Sequence, residues 1–141
     1  MSLSPTMSAA PTSGVVVDAS VLVDALVGAD SVELHRAIGN RPLLAPAHVD
    51  AEVLSALRGL MLGKHLSQQR CRDALLDLDA LPLERWSLTA VLLSRAFDLA
   101  DAITSYDALY VALAEVVSVP LVTRDRRLAR AAQRWVTVEL V

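Results

Sequence analysis

Apolar positions along this chain follow two alternating rhythms. Short unbroken aliphatic runs are separated by longer segments in which apolar residues return every three or four positions. Gly14-Val15-Val16-Val17 is a run of the first kind and predicts a central strand, as does Leu43-Leu44-Ala45, which Pro46 ends. A shorter strand is expected around Leu83-Glu84-Arg85, another over Leu121-Val122-Thr123, and Val136 to Leu140 alternates with period two as a last one. Between them the spacing predicts helices over Val21–Val27, Ser31–Ile38, His48 to about Leu62, Gln68 to about Leu78 behind a Ser67 cap, Leu88 to about Leu99, and Arg126 to about Gln133. One further helix starts after Thr104. Its positions Ala108, Leu109, Val111, Ala112 and Leu113 are so uniformly apolar that it belongs in a core. This alternation predicts an α/β fold, a three-layer α/β/α sandwich on a mainly parallel sheet of four to five strands. Residues 1–13 lack periodicity and read as a disordered extension, leaving 14–141 as a single domain.

Composition narrows the picture. The hydrophobic fraction is 54% and the mean hydropathy +0.45, yet no run of roughly 18 apolar residues occurs without a charge, so no membrane span is expected. The excess suits a buried parallel sheet, a large subunit interface, or both. A lone cysteine, Cys71, excludes an internal disulfide and fits a reducing cytoplasm, and the N-terminus lacks the order of a secretory signal. A net charge of −3 argues against wholesale nucleic-acid binding by bulk charge. Arginines nevertheless cluster late, at Arg124, Arg126, Arg127, Arg130 and Arg134, and arginine suits bidentate contact with phosphate. Aromatics make up only 4%, so base stacking is not a main mode of recognition.

Four acids stand out by position: Asp18 and Asp125 just past apolar strands, Glu52 and Asp107 in first helical turns. Ser20 is a candidate cap beside Asp18. Glu52 falls at the edge of an apolar helix face, whereas Asp50, two positions earlier, points elsewhere and is assigned to solvent. Taken singly, the acids read as structural: Asp18 and Asp125 as helix caps, Asp107 as satisfying a helix N-terminus and Glu52 as a rim charge. Four carboxylates gathered beside apolar sequence would repel and resist ionisation. A hard divalent cation resolves that conflict, because Mg²⁺ or Mn²⁺ prefers oxygen ligands, lowers the pKa of a water and screens a phosphodiester.

The motifs Val17-Asp18-Ala19-Ser20, Ala45-Pro46 followed by Glu52-Val53-Leu54-Ser55-Ala56-Leu57, Tyr106-Asp107-Ala108-Leu109-Tyr110-Val111-Ala112-Leu113-Ala114-Glu115, and Leu121-Val122-Thr123-Arg124-Asp125-Arg126-Arg127-Leu128 are similar, in this order, to those of the PIN-domain nucleases. They most resemble the VapC-type toxins of bacterial toxin–antitoxin pairs. The resemblance implies that Asp18, Glu52, Asp107 and Asp125 coordinate Mg²⁺, with Mn²⁺ able to substitute. It implies a hydroxyl near the site, Ser20 or Thr123, and a metal-dependent endoribonuclease that cleaves tRNA, rRNA or mRNA. A homodimer and a cognate VapB-like antitoxin are implied as partners. The other enzymatic reading, phosphate transfer through an aspartate, lacks the acid pair or second aspartate it needs beside Asp18. A catalytically silent binding module on the same scaffold is the non-enzymatic alternative.

Weaker candidates complete the set. Asp101, before Thr104, is a possible outer-shell acid or a solvated helix end. Arg124, Arg126 and Arg127 flank Asp125 and are candidates for RNA phosphates. His35, His48 and His65 lack mutual ligand spacing and are placed on the surface. Cys71 is assigned to a helix against the core, Trp86 and Trp135 to the core or an interface, and Tyr110 to packing, while Tyr106 stays open between packing and the site.

Overall fold

The computed structural model describes residues 14–141; the expected extension over 1–13 lies outside them. The elements are β1 (Val15–Val17), α1 (Ala19–Val27), α2 (Ser31–Ile38), β2 (Leu43–Pro46), α3 (Val49–Leu62), α4 (Gln68–Ala80), β3 (Leu83–Trp86), α5 (Ala90–Asp98), α6 (Ser105–Val117), β4 (Leu121–Thr123), α7 (Arg126–Ala132) and β5 (Val138–Leu140). The five strands form one sheet in the order β3-β2-β1-β4-β5, and every pairing is parallel.

Strand β1 lies at the centre, with Val15 opposite Leu43 on one side and Val17 opposite Val122 on the other. All three of its valines are fully buried, which is why its sequence is continuous rather than alternating. Helices α1 to α4 pack on one another, whereas α5 pairs with α6, and α6 lies across β1, β2 and β4. Right-handed crossovers place these two groups on opposite faces of the sheet. Residues Ala108 to Ala114 of α6 are buried without a break, as their composition requires. The predicted α/β/α sandwich is thus observed, with five strands.

The differences are local and concern helix starts and the last strand. Ser20 does not cap α1. Asp18 does, accepting from the Val21 N–H, so the helix begins two residues before the predicted Val21. Thr89 caps α5 through the Leu92 N–H, so that helix starts at Ala90 and not at Leu88. Thr104 stands at the N-cap of α6, but its hydroxyl makes no capping bond. The final strand shortens to Val138–Leu140: an edge strand buries less of its alternating face. Ser118 ends α6 in the left-handed conformation, φ 57°, ahead of Pro120. Among the described residues no helix is long and apolar enough to cross a membrane.

Candidate active site

In the order β3-β2-β1-β4-β5, the crossovers leave β1 and β4 in opposite directions. A crevice opens there beyond the carboxyl ends of the two strands. It holds a cavity of about 530 Å³ that is lined by Asp18, Glu52, Asp107 and Asp125, together with Ser20, Tyr110 and apolar walls from Val23, Ala56 and Leu60. Four helix N-termini therefore meet at one place. Asp18 caps α1, Asp125 caps α7, Glu52 lies in the first turn of α3 and Asp107 in that of α6. The positive ends of the helix dipoles offset part of the repulsion among the acids. Capping and membership of the cavity are not competing roles here; Asp18 and Asp125 do both.

Asp18 is 5% exposed and fixed by three hydrogen bonds. Its Oδ1 accepts from the Ser20 hydroxyl (2.6 Å) and the Val21 N–H (3.2 Å), and its Oδ2 accepts from the Thr123 hydroxyl (2.6 Å). Burial pushes its pKa above the ordinary carboxylate value; the hydrogen bonds oppose that rise and the charge of Asp107 adds to it. Thr123 Oγ1 accepts from the Asp125 N–H (3.0 Å), and Ser20 Oγ accepts from the Arg124 N–H (3.2 Å). Two hydroxyls thus stitch the loop carrying Asp125 onto Asp18. Asp125 itself is exposed and accepts the N–H groups of Arg127 (2.9 Å) and Leu128 (3.2 Å) with one oxygen, Oδ1.

Across the crevice, Asp107 is half-buried, and its pKa is raised mainly by burial. A bond from Thr104 and the nearby His48 pull it down, while Glu52 and Asp125 push it further up. Glu52 Oε1 accepts from the Tyr110 hydroxyl at 2.5 Å and lies 3.5 Å from His48 Nε2. Burial, and then the bond to Glu52, push the Tyr110 phenol far above its ordinary value, so it remains a donor.

Several expectations change. Arg124 does not extend toward solvent to meet phosphate. Its guanidinium is held by Asp24 (2.8 Å) and Asp30 (2.7 Å), because both carboxylates face it from α1 and the loop behind. Arg126 and Arg127 are exposed and, among the described residues, form no ion pair. Asp101 is exposed and stands outside the cavity lining, on the turn before α6. Asp50 points away from the cavity, as expected, but into a salt bridge with Arg85 (2.6 Å) rather than into open solvent. His48 is not a surface residue: its side chain is 12% exposed, and its ring packs 4.9 Å from Tyr110 and 5.7 Å from Tyr106. Tyr110 is more than packing. One signal pointed to it, since a tyrosine in an otherwise apolar core helix needs a partner for its hydroxyl.

The donor set is all oxygen, which suits a hard divalent cation. Among the described residues no three of these side chains are drawn tightly enough together to hold an ion unaided. Mg²⁺ keeps several waters and takes only one or two carboxylates directly, so a cavity of this size lined by separated acids fits it. The raised pKa values of Asp18 and Asp107 are the cost that a cation would remove.

The PIN domain family model matches residues 15–134. The chain is 40% identical over 117 residues to Ribonuclease VapC1 of Mycobacterium tuberculosis, covering 81% of this chain and 86% of that one. It is 36% identical over 106 residues to Ribonuclease VapC12 of the same species, covering 75% and 81%. A crystal structure of VapBC2 from Rickettsia felis, bound to a DNA fragment from their promoter, shares the fold with a TM-score of 0.61 at 17% identity, over 89% of this chain and 97% of that chain. This chain belongs to the PIN-domain family. Within that family its relatives place it with the VapC-type ribonucleases.

Proposed function

We propose that this protein is a divalent-metal-dependent endoribonuclease, the toxin of a toxin–antitoxin pair. One observation carries the reading: four carboxylates from four separate helix starts line a single cavity at the switch point of a parallel sheet. Asp18, Glu52, Asp107 and Asp125 would hold Mg²⁺, with Mn²⁺ able to substitute. When bound, such an ion lowers the pKa of a water and stabilises charge on a phosphodiester.

The chain's own residues do the rest. Ser20, Thr123 and the α1 N-terminus keep Asp18 from rotating, so its oxygens hold one position. Asp125 spends Oδ1 on the start of α7 and offers its other oxygen. Val23, Ala56 and Leu60 make one wall of the cavity apolar, so the polar contacts available to a bound ion come from the acid side. Arg126 and Arg127 would contact RNA phosphates, a role their exposure beside Asp125 supports.

The partners proposed are an RNA substrate (tRNA, rRNA or mRNA), a VapB-like antitoxin and a second copy of the chain, in the cytoplasm. The exposed Val91, Leu93 and Phe97 of α5 support a subunit interface. The complete acid set weighs against a silent binding module. In the test, purified protein cleaves susceptible RNA with Mg²⁺ or Mn²⁺, stops on addition of EDTA, and loses cleavage as Asp18→Asn or Asp107→Asn. Cleavage that persists in both variants overturns the reading.

A further inference from the structure

Helix α3 brings Glu52 to the cavity and α6 brings Asp107, from opposite faces of the sheet, and a compact polar and aromatic joint links the two helix starts. Tyr110, one turn beyond Asp107, is fully buried and donates its hydroxyl to Glu52 Oε1 at 2.5 Å. His48, one turn before Glu52, lies between the rings of Tyr106 and Tyr110. Its Nε2 is 3.1 Å from the Tyr106 carbonyl oxygen, which can only accept, so the proton is on Nε2. That nitrogen also lies 3.5 Å from Glu52 Oε1. Nδ1 is buried and, among the described residues, has no hydrogen-bond partner. The imidazole therefore braces the joint through one nitrogen.

Glu52 Oε1 thus receives two contacts from this joint. A glutamate side chain has three rotatable bonds and, at an exposed helix start, samples many rotamers. We infer that Tyr110 is a positioning residue that, braced by His48, fixes the Glu52 carboxylate and its separation from Asp107 for a divalent cation. The inference rests on the metal-dependent reading of the site. It assigns work to two residues that lie outside the set of four acids. The alternative, that Tyr110 only fills the core, leaves no use for its hydroxyl, since phenylalanine would fill the same volume.

The test is a double-mutant cycle on Mn²⁺ affinity, read by calorimetry or by the Mn²⁺ spin-resonance signal, using the full chain. Tyr110→Phe keeps the ring and removes one hydroxyl. It is expected to weaken Mn²⁺ binding about 10- to 100-fold, as loss of a group orienting a metal ligand does. In a Glu52→Gln background the same change is expected to add less than about twofold, because the oriented carboxylate is already gone. A structural role would weaken both backgrounds alike. Tyr110→Phe binding Mn²⁺ as tightly as wild type, or weakening both backgrounds equally, overturns this inference while the metal-dependent reading stands. A wild-type chain that binds no Mn²⁺ overturns both.

Discussion

The Thr123 hydroxyl donates to Asp18 Oδ2 at 2.6 Å while accepting the Asp125 N–H at 3.0 Å. Through it the end of β4 and the end of β1 are joined at the atom level, and two acids far apart in the chain share one hinge. Thr123 is itself fully buried, so its hydroxyl has no water to replace either partner. Thr123→Val should leave a buried carboxylate oxygen and a backbone N–H unpaired. The expected cost is about 1–3 kcal/mol in chemical denaturation, with Thr123→Ser largely retaining stability.

Asp18 and Asp107 both have raised pKa values in the folded chain. The folded state then binds more protons than the unfolded one between the ordinary value of 3.8 and the raised values. Their contribution to the stability of the metal-free protein should fall as pH rises through that window, and a saturating divalent cation should flatten the fall. Denaturation of wild type and Asp107→Asn in EDTA across that range isolates it: the variant's stability relative to wild type should rise with pH, and a relative stability that falls with pH overturns the stated direction.

Removing a repelling charge has a predictable two-sided effect at Asp107. Asp107→Asn relieves its repulsion with Glu52 and Asp125, so the thermal midpoint in EDTA should be unchanged or higher. Cleavage should nevertheless drop by at least the 10- to 100-fold that loss of an outer partner costs at metal sites. Calorimetric melting and RNA cleavage on the same preparation check both signs.

The arginines around Asp125 should separate into two groups. Arg126→Ala and Arg127→Ala should each lower the slope of log affinity against log salt by about 0.7 for a single-stranded RNA. Arg124→Ala should leave that slope alone and instead release the loop, because its guanidinium is bound to Asp24 and Asp30. Binding titrations at several salt concentrations, beside melting curves, distinguish the two.

In the core, Leu57 is 1% exposed on the inward face of α3. Leu57→Ala should cost about 2–5 kcal/mol in urea denaturation and lower cleavage by unfolding rather than by changing the site.

Much of this was legible in the amino-acid order because the periods are local. The valine run of β1 and the apolar length of α6 identify a buried strand and a core helix whatever surrounds them. The same holds for the four acids: a carboxylate just after an apolar strand or in a first helical turn marks a helix start before any tertiary contact is known. Sequence alone assigns Tyr110 to packing and His48 to the surface, because the pattern of a helix says which face is buried but not what stands across from it. Arg124 is indistinguishable in sequence from Arg126 and Arg127 for the same reason, since Asp24 and Asp30 reach it only through the fold.

By itself the sequence determined the alternation of strands and helices, the buried elements and the helix starts that carry acids, all of which follow from spacing within a few turns of chain. Only the tertiary structure decided that β1 lies between β2 and β4, that Asp18 and Asp125 therefore flank one crevice, and that Tyr110 bonds Glu52 across it. The reason is physical: strand order and helix-to-helix contacts depend on pairings between distant segments, and side-chain periodicity specifies a face without naming its partner.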